Sequence, residues 1–165
     1  MKELRPGTQP RGLAAWLPSR SGGLRLSVGP KIAYAISNDA IAIAERLKDL
    51  LAFRRQPVAD VGLCVEVVNR GEKAVTITEV GFTGRFESPQ VALHEPLLHD
   101  NKPWPRRLGP GEKVIAHAGS RLKDHPVLST LKRAYAKTDD DQTSYGSSSA
   151  LRYYVKSAGH GPRSK

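Results

Sequence analysis

Five histidines, a run of three aspartates and one cysteine are the residues of this 165-residue chain best equipped for chemistry, and their spacing speaks against it. His94, His99, His117, His125 and His160 fall in no ligand spacing typical of a metal site. His99 with Asp100, and His94 nearby, make only a scattered set, so no metal is expected. Asp139, Asp140 and Asp141 lack the alternating ligands and the glycine of a calcium loop, and read as a solvated turn. Cys64 sits between apolar neighbours with no base supplied, which is the setting of a small buried residue rather than a nucleophile. A single cysteine also excludes an internal disulfide and any cysteine-based zinc site. Gly109-Pro-Gly111 leads into a strand, unlike a phosphate cradle, which opens a helix. No nucleophile elbow frames a serine. Neither catalysis nor a cofactor is expected.

Binding has better candidates. In Lys102-Pro-Trp-Pro-Arg-Arg107 two prolines frame Trp104 beside three cations, Lys102, Arg106 and Arg107. Tryptophan and arginine are enriched at interface hot spots, and loops at the ends of β-sandwiches are common binding sites. These four residues are the candidate site. The competing reading folds Trp104 back over a sheet edge and leaves Arg106 and Arg107 in solvent. Tyr135, Tyr145, Tyr153 and Tyr154, with Arg133 and Arg152, have the composition to stack on bases. Packing in the core already accounts for Tyr135 and Tyr154.

The formal net charge is +10, and its distribution matters more than its size. Residues 1–31 carry six basic side chains against Glu3 alone, and Arg152, Lys156, Arg163 and Lys165 add four more near the end. From Val58 to Leu151 twelve basic side chains meet twelve acidic ones, so the folded body is near neutral. Nucleic acid is therefore expected to bind, if at all, through basic terminal arms, as a second reading. Residues 1–31 lack the apolar run of a signal peptide and read as a flexible basic arm. Within it Leu24, Leu26 and Val28 alternate as a short strand would. Residues 158–165 read as a flexible tail.

From Ile36 to Arg55 apolar residues recur at spacings of three and four, which predicts an amphipathic helix within residues 32–57. Its charged residues break the apolar run far short of a membrane span; packing against the sheet or self-association is the expected use of the stripe, ahead of a membrane surface or a partner groove. Residues 58–157 read as a β-sandwich. Leu63–Val68 and Ala74–Val80 are β-branched runs on either side of Asn-Arg-Gly-Glu-Lys, which predicts a hairpin. Val75 and Ile77 share a face, whereas Val80 and Phe82 have the opposite parity, so a bulge is expected near Thr78-Glu79. Further strands are expected at 90–94, after Gly109-Pro-Gly111, and at 131–137. A short helix is expected over 148–156, where Ala150, Leu151, Tyr154 and Val155 form a stripe.

V-E-V-V-N-R-G-E-K-A-V-T-I-T-E-V-G-F from Val65, R-L-G-P-G-E-K-V from Arg107 and L-K-R-A-Y-A-K-T-D-D-D-Q-T-S-Y from Leu131 resemble a group of uncharacterised bacterial and phage-borne proteins. The resemblance covers about Ala59 to Tyr145. It implies a mainly β fold, an immunoglobulin-like antiparallel sandwich with an N-terminal amphipathic helix, and no catalytic residue. This chain differs from the group in having a charged rather than membrane-spanning N-terminal segment. Together these features favour a cytoplasmic, non-enzymatic interaction domain with a protein partner, associated with a mobile element.

Overall fold

The computed structural model describes residues 24–37, 40–44, 61–118, 122 and 125–158. Among these residues ten strands and one α-helix follow in order: β1 (Leu26–Ser37), β2 (Ala40–Ala44), β3 (Val61–Asn69), β4 (Val75–Thr83), β5 (Gln90–Ala92), β6 (Leu97–Leu98), β7 (Arg106–Leu108), β8 (Lys113–His117), β9 (Arg133–Thr138), β10 (Thr143–Gly146) and α1 (Ser149–Ala158), with a short 3-10 turn at Leu128–Thr130 ahead of β9. They form two antiparallel sheets, one ordered β2-β1-β3-β8-β6 and the other β10-β9-β4-β5, with β7 pairing the start of β4. The fold is mainly β with one α-helix among the described residues, as the composition of short apolar runs and turns predicts.

β3 is the centre of the first sheet, paired with β1 on one side and β8 on the other. Its sequence shows why it belongs there. Leu63, Val65 and Val67 fill the space between the sheets, while Cys64 and Val68 are buried on the opposite face. A strand apolar on both faces loses least in a central position. On that outer face Lys31 reaches Glu66 at 2.7 Å, so the one acidic side chain within β3 is paired. In β4 the pairing with β9 shifts between Ile77 and Glu79. That is the expected bulge, and it returns Val80 and Phe82 to the face already occupied by Ile77, all three fully buried.

The hairpin expected across Asn69–Lys73 does not form. β3 and β4 belong to different sheets, and residues 70–74 arch from one to the other. Asn69 holds the arch: its side-chain amide donates to Lys73 O at 2.8 Å and to Leu108 O at 3.1 Å, and its Oδ1 accepts from Gly71 N–H. Leu108 ends β7, and Gly109–Glu112 makes a second crossing from β7 in one sheet to β8 in the other. Asn69 O accepts from Gly111 N–H, and Asn69 N–H donates to Glu112 O, so one buried residue ties both crossings together.

The helix expected over 36–55 is overturned at its start. β1 runs to Ser37, and Ala40–Ala44 returns beside it as β2, with Ile32 opposite Ala44 and Ala35 opposite Ile41. Pairing with an existing strand satisfies the backbone of this segment, of which the helical spacing had assigned Ala40, Ile43 and Ala44 to a stripe. Residues 45–60 lie outside the described residues, as do residues 1–23 of the expected arm and 159–165 of the tail. The alternation at Leu24–Val28 does begin a strand, a much longer one than expected, so the sheet starts well ahead of residue 58.

α1 closes the core. Ser148 Oγ accepts from Leu151 N–H at 3.1 Å, capping the helix, and donates to Pro30 O of β1 at 2.6 Å. The expected stripe is realised, with Ala150, Leu151, Tyr154 and Val155 all buried in the core that both sheets share. Just before it, Gly146 touches β1 so closely that a Cβ there would lie 1.6 Å from Val28 O. Only glycine lets the end of the second sheet meet the edge of the first.

Candidate interaction surface

The loop ahead of β7 divides its four candidate residues among three environments. Lys102 is exposed. Trp104 is half-buried and packs against the central core. Arg106 binds Asp100 at 2.9 Å, and its side chain is only 14% exposed, so its charge is committed within the loop. Arg107 points away from Arg106, as neighbours on a strand must, into an open cleft of about 540 Å³ with Arg25, Lys73, Asp139 and Asp140. Thus Trp104 is turned toward the core, while Lys102 and Arg107 are the exposed cations among the four residues.

The outer face of the second sheet brings together more. Tyr145 on β10 stands directly opposite Tyr135 on β9, and residues two apart on β9 place Arg133 on the same face. Arg133 lies over the Tyr145 ring at 4.6 Å, a cation–π contact, and donates to Arg85 O at 2.9 Å. Arg85 in turn lies 5.6 Å from the ring of Phe86, which is 82% exposed. Phe86, Arg85, Arg133 and Tyr145 therefore form one connected strip running from the β4–β5 turn across the sheet. Phe86 and Tyr145 are two of the three large apolar side chains that stand exposed among the described residues.

Beside the strip, Glu79, Glu87, Gln90, Tyr135, Lys137 and Tyr145 border an open cleft of about 570 Å³. Tyr135 is buried although it lies on the outer face, because its ring covers Gly81 of β4; a Cβ at Gly81 would meet that ring at 2.8 Å. Its hydroxyl donates to Glu79 Oε1 at 2.6 Å, and Gln90 reaches the same oxygen. Burial, together with the bond to Glu79 and that carboxylate's charge, raises the Tyr135 hydroxyl pKa well above its ordinary value. Partial burial and then Glu87 raise that of Tyr145, with Arg133 opposing. Both phenols stay protonated, as rings with a hydrogen-bonding edge. The face can offer stacking, cation and carboxylate contacts, with its geometry set by hydrogen bonds already made.

Other residues with chemical potential are spent on structure. Asp140 is bonded by Thr138 and by Gln142, and Asp141 by Lys137 at 2.9 Å, which makes the aspartate run the turn joining β9 to β10. Cys64 is fully buried, its thiol donates to Lys31 O, and burial pushes its pKa up to about 12. Tyr154 belongs to the core, as expected.

Tyr135, Tyr145 and Arg133 were visible in the sequence as residue types. Phe86 and Arg85 were missed there, although Phe86 lies in a turn between two charges with no alternating partner to bury it. No family model, no curated protein and no solved structure matches the chain. No helix among the described residues is long and apolar enough to cross a membrane.

Proposed function

We propose that this chain is a non-enzymatic protein-interaction domain, immunoglobulin-like in build, that engages a protein partner through the outer face of its second sheet. The observation that carries the reading is the connected strip Phe86–Arg85–Arg133–Tyr145. Two aromatic side chains, each stacked by an arginine and joined through the Arg85 carbonyl, have the composition of interface hot spots. The strand order supports the immunoglobulin-like part. With β1, β3, β8 and β6 lettered A, B, E and D, and β10, β9, β4 and β5 lettered G, F, C and C′, the sheets follow the A-B-E-D and G-F-C-C′ order. β2 is then an addition outside strand A. The partner that fits offers an apolar socket to Phe86 and acidic groups to Arg85.

Affinity capture from the native host tests this, with wild type, a Phe86→Ala/Tyr145→Ala variant and a Lys102→Ala/Arg107→Ala variant as baits. Phe86 is so exposed that its loss should change folding stability by no more than about 0.5 kcal/mol. A hot-spot residue contributes roughly 2 kcal/mol, about thirtyfold in affinity. The face variant should lose the captured partner and the loop variant keep it. The reverse pattern would move the site to the loop. Salt-sensitive nucleic-acid capture that both variants retain, and that deletion of residues 1–23 and 159–165 abolishes, would favour the basic arms instead.

A further inference from the structure

Four of the chain's five histidines gather around one edge of the first sheet, and one of them, His94, also borders the cleft beside the aromatic strip. His94, His117 and His125 border a groove of about 530 Å³ between β5–β6 and the connection from β8 to β9. His99, in the turn after β6, lies beside His117 without lining the groove itself. Its N–H donates to Ile115 O, and Leu97 stands opposite His117, so His99 and His117 are diagonal neighbours on one face of the β6–β8 pair. Their ring centroids are 5.9 Å apart and tilted by 38°.

We propose that His99 and His117 form a two-imidazole clamp for a borderline divalent cation, copper(II), nickel(II) or zinc(II), joining β6 to β8 at the sheet edge. The separation of the two rings is close to that required. An imidazole nitrogen binds such an ion at about 2.0–2.1 Å, which puts each ring centroid roughly 3.2 Å from the metal and two centroids roughly 5.2 Å apart at a tetrahedral angle. Closing the observed separation takes less than about 1 Å for a tetrahedral ion and about 1.4 Å for two adjacent positions of a tetragonal copper(II) ion, within reach of side-chain rotation at the exposed His99. His117 Nε2 is buried without a hydrogen-bond partner among the described residues, so binding an ion would satisfy a nitrogen otherwise left bare.

His125 does not compete for this role. Its Nδ1 accepts from Val127 N–H, which places its own proton on Nε2. No three donor side chains come together among the described residues, so solvent completes the coordination. Two neutral imidazoles and no carboxylate select ions high in the Irving–Williams order over magnesium or calcium.

The test is thermal unfolding and calorimetric titration of the full chain with each metal chloride alone. Wild type should bind copper most tightly and be stabilised by it, show nickel and zinc binding more weakly, and ignore magnesium. His99→Ala, an exposed change that should leave the fold intact, should weaken copper binding at least tenfold; His117→Gln should do the same, and His160→Ala should have no effect. Copper binding that survives His99→Ala undiminished, that is lost in His160→Ala, or that never appears in wild type overturns the proposal.

Discussion

Replacing Asn69 by alanine should damage this protein more than any other single loss of a polar side chain from an arch. The residue is 1% exposed and makes three side-chain hydrogen bonds, to Lys73 O, Leu108 O and Gly71 N–H. The bond to Leu108 O is buried, so truncation leaves a carbonyl without water, whereas the other two groups are partly reachable by solvent. With about 1–2 kcal/mol for the buried bond and somewhat under 1 for each of the others, Asn69→Ala should cost about 3 kcal/mol. For a chain of this size that corresponds to a fall in Tm of about 6–12 °C, or of roughly 1.5 M in the urea midpoint at unchanged slope. Asn69→Asp sharpens the test. It keeps an oxygen for Gly71 N–H but turns a second one toward two carbonyl oxygens, so at pH 7 it should be at least as destabilising as alanine. Stability should partly recover in acid, where the carboxyl gains a proton to donate. Equilibrium urea unfolding of the three proteins measures this. A loss below about 0.5 kcal/mol for both variants would mean that Asn69 does not hold the two crossings together.

Gly146→Ala should destabilise by at least about 2 kcal/mol or abolish folding, because its Cβ would strike the Val28 carbonyl oxygen of β1; a near-neutral effect in thermal unfolding would contradict the contact between the sheets. Ser148→Ala removes the cap of α1 and the bond to Pro30 O, and should cost about 1–2 kcal/mol in the same assay. Native Cys64 should resist thiol reagents at pH 8 and react fully in urea, since with a pKa near 12 only about one molecule in ten thousand carries the thiolate. Because that pKa is raised from 9.0 in the folded state, the neutral thiol's contribution to stability is intact below pH 9 and is lost as pH rises toward 12.

Side-chain periodicity made much of the fold legible, because it reports which faces are buried. Val75, Ile77, Val80 and Phe82 revealed the bulge in β4 by their parity alone, and Ala150, Leu151, Tyr154 and Val155 revealed α1. Periodicity does not report which sheet a strand joins. Asn-Arg-Gly-Glu-Lys suits a hairpin and an arch equally, and the deciding bond runs from Asn69 to Leu108, 39 residues away. The helix expected from Ile36 failed for a related reason. Ala40-Ile-Ala-Ile-Ala44 satisfies a helical stripe and also alternates with period two, and the presence of β1 beside it selects the strand. At the candidate surface, the residue types were readable but their meeting was not. The β9–β10 register sets Tyr145 opposite Tyr135, and the bond from Arg133 to Arg85 O carries the strip on to Phe86.

Photo-crosslinking in the native host tests the interaction face most directly. A photoreactive residue placed at Phe86 or at Tyr145 should yield a covalent adduct with the same single protein, and one placed at Lys102 or Arg107 should not. Adducts from positions 102 and 107 with none from 86 or 145 would contradict the assignment of the second sheet's outer face as the binding surface.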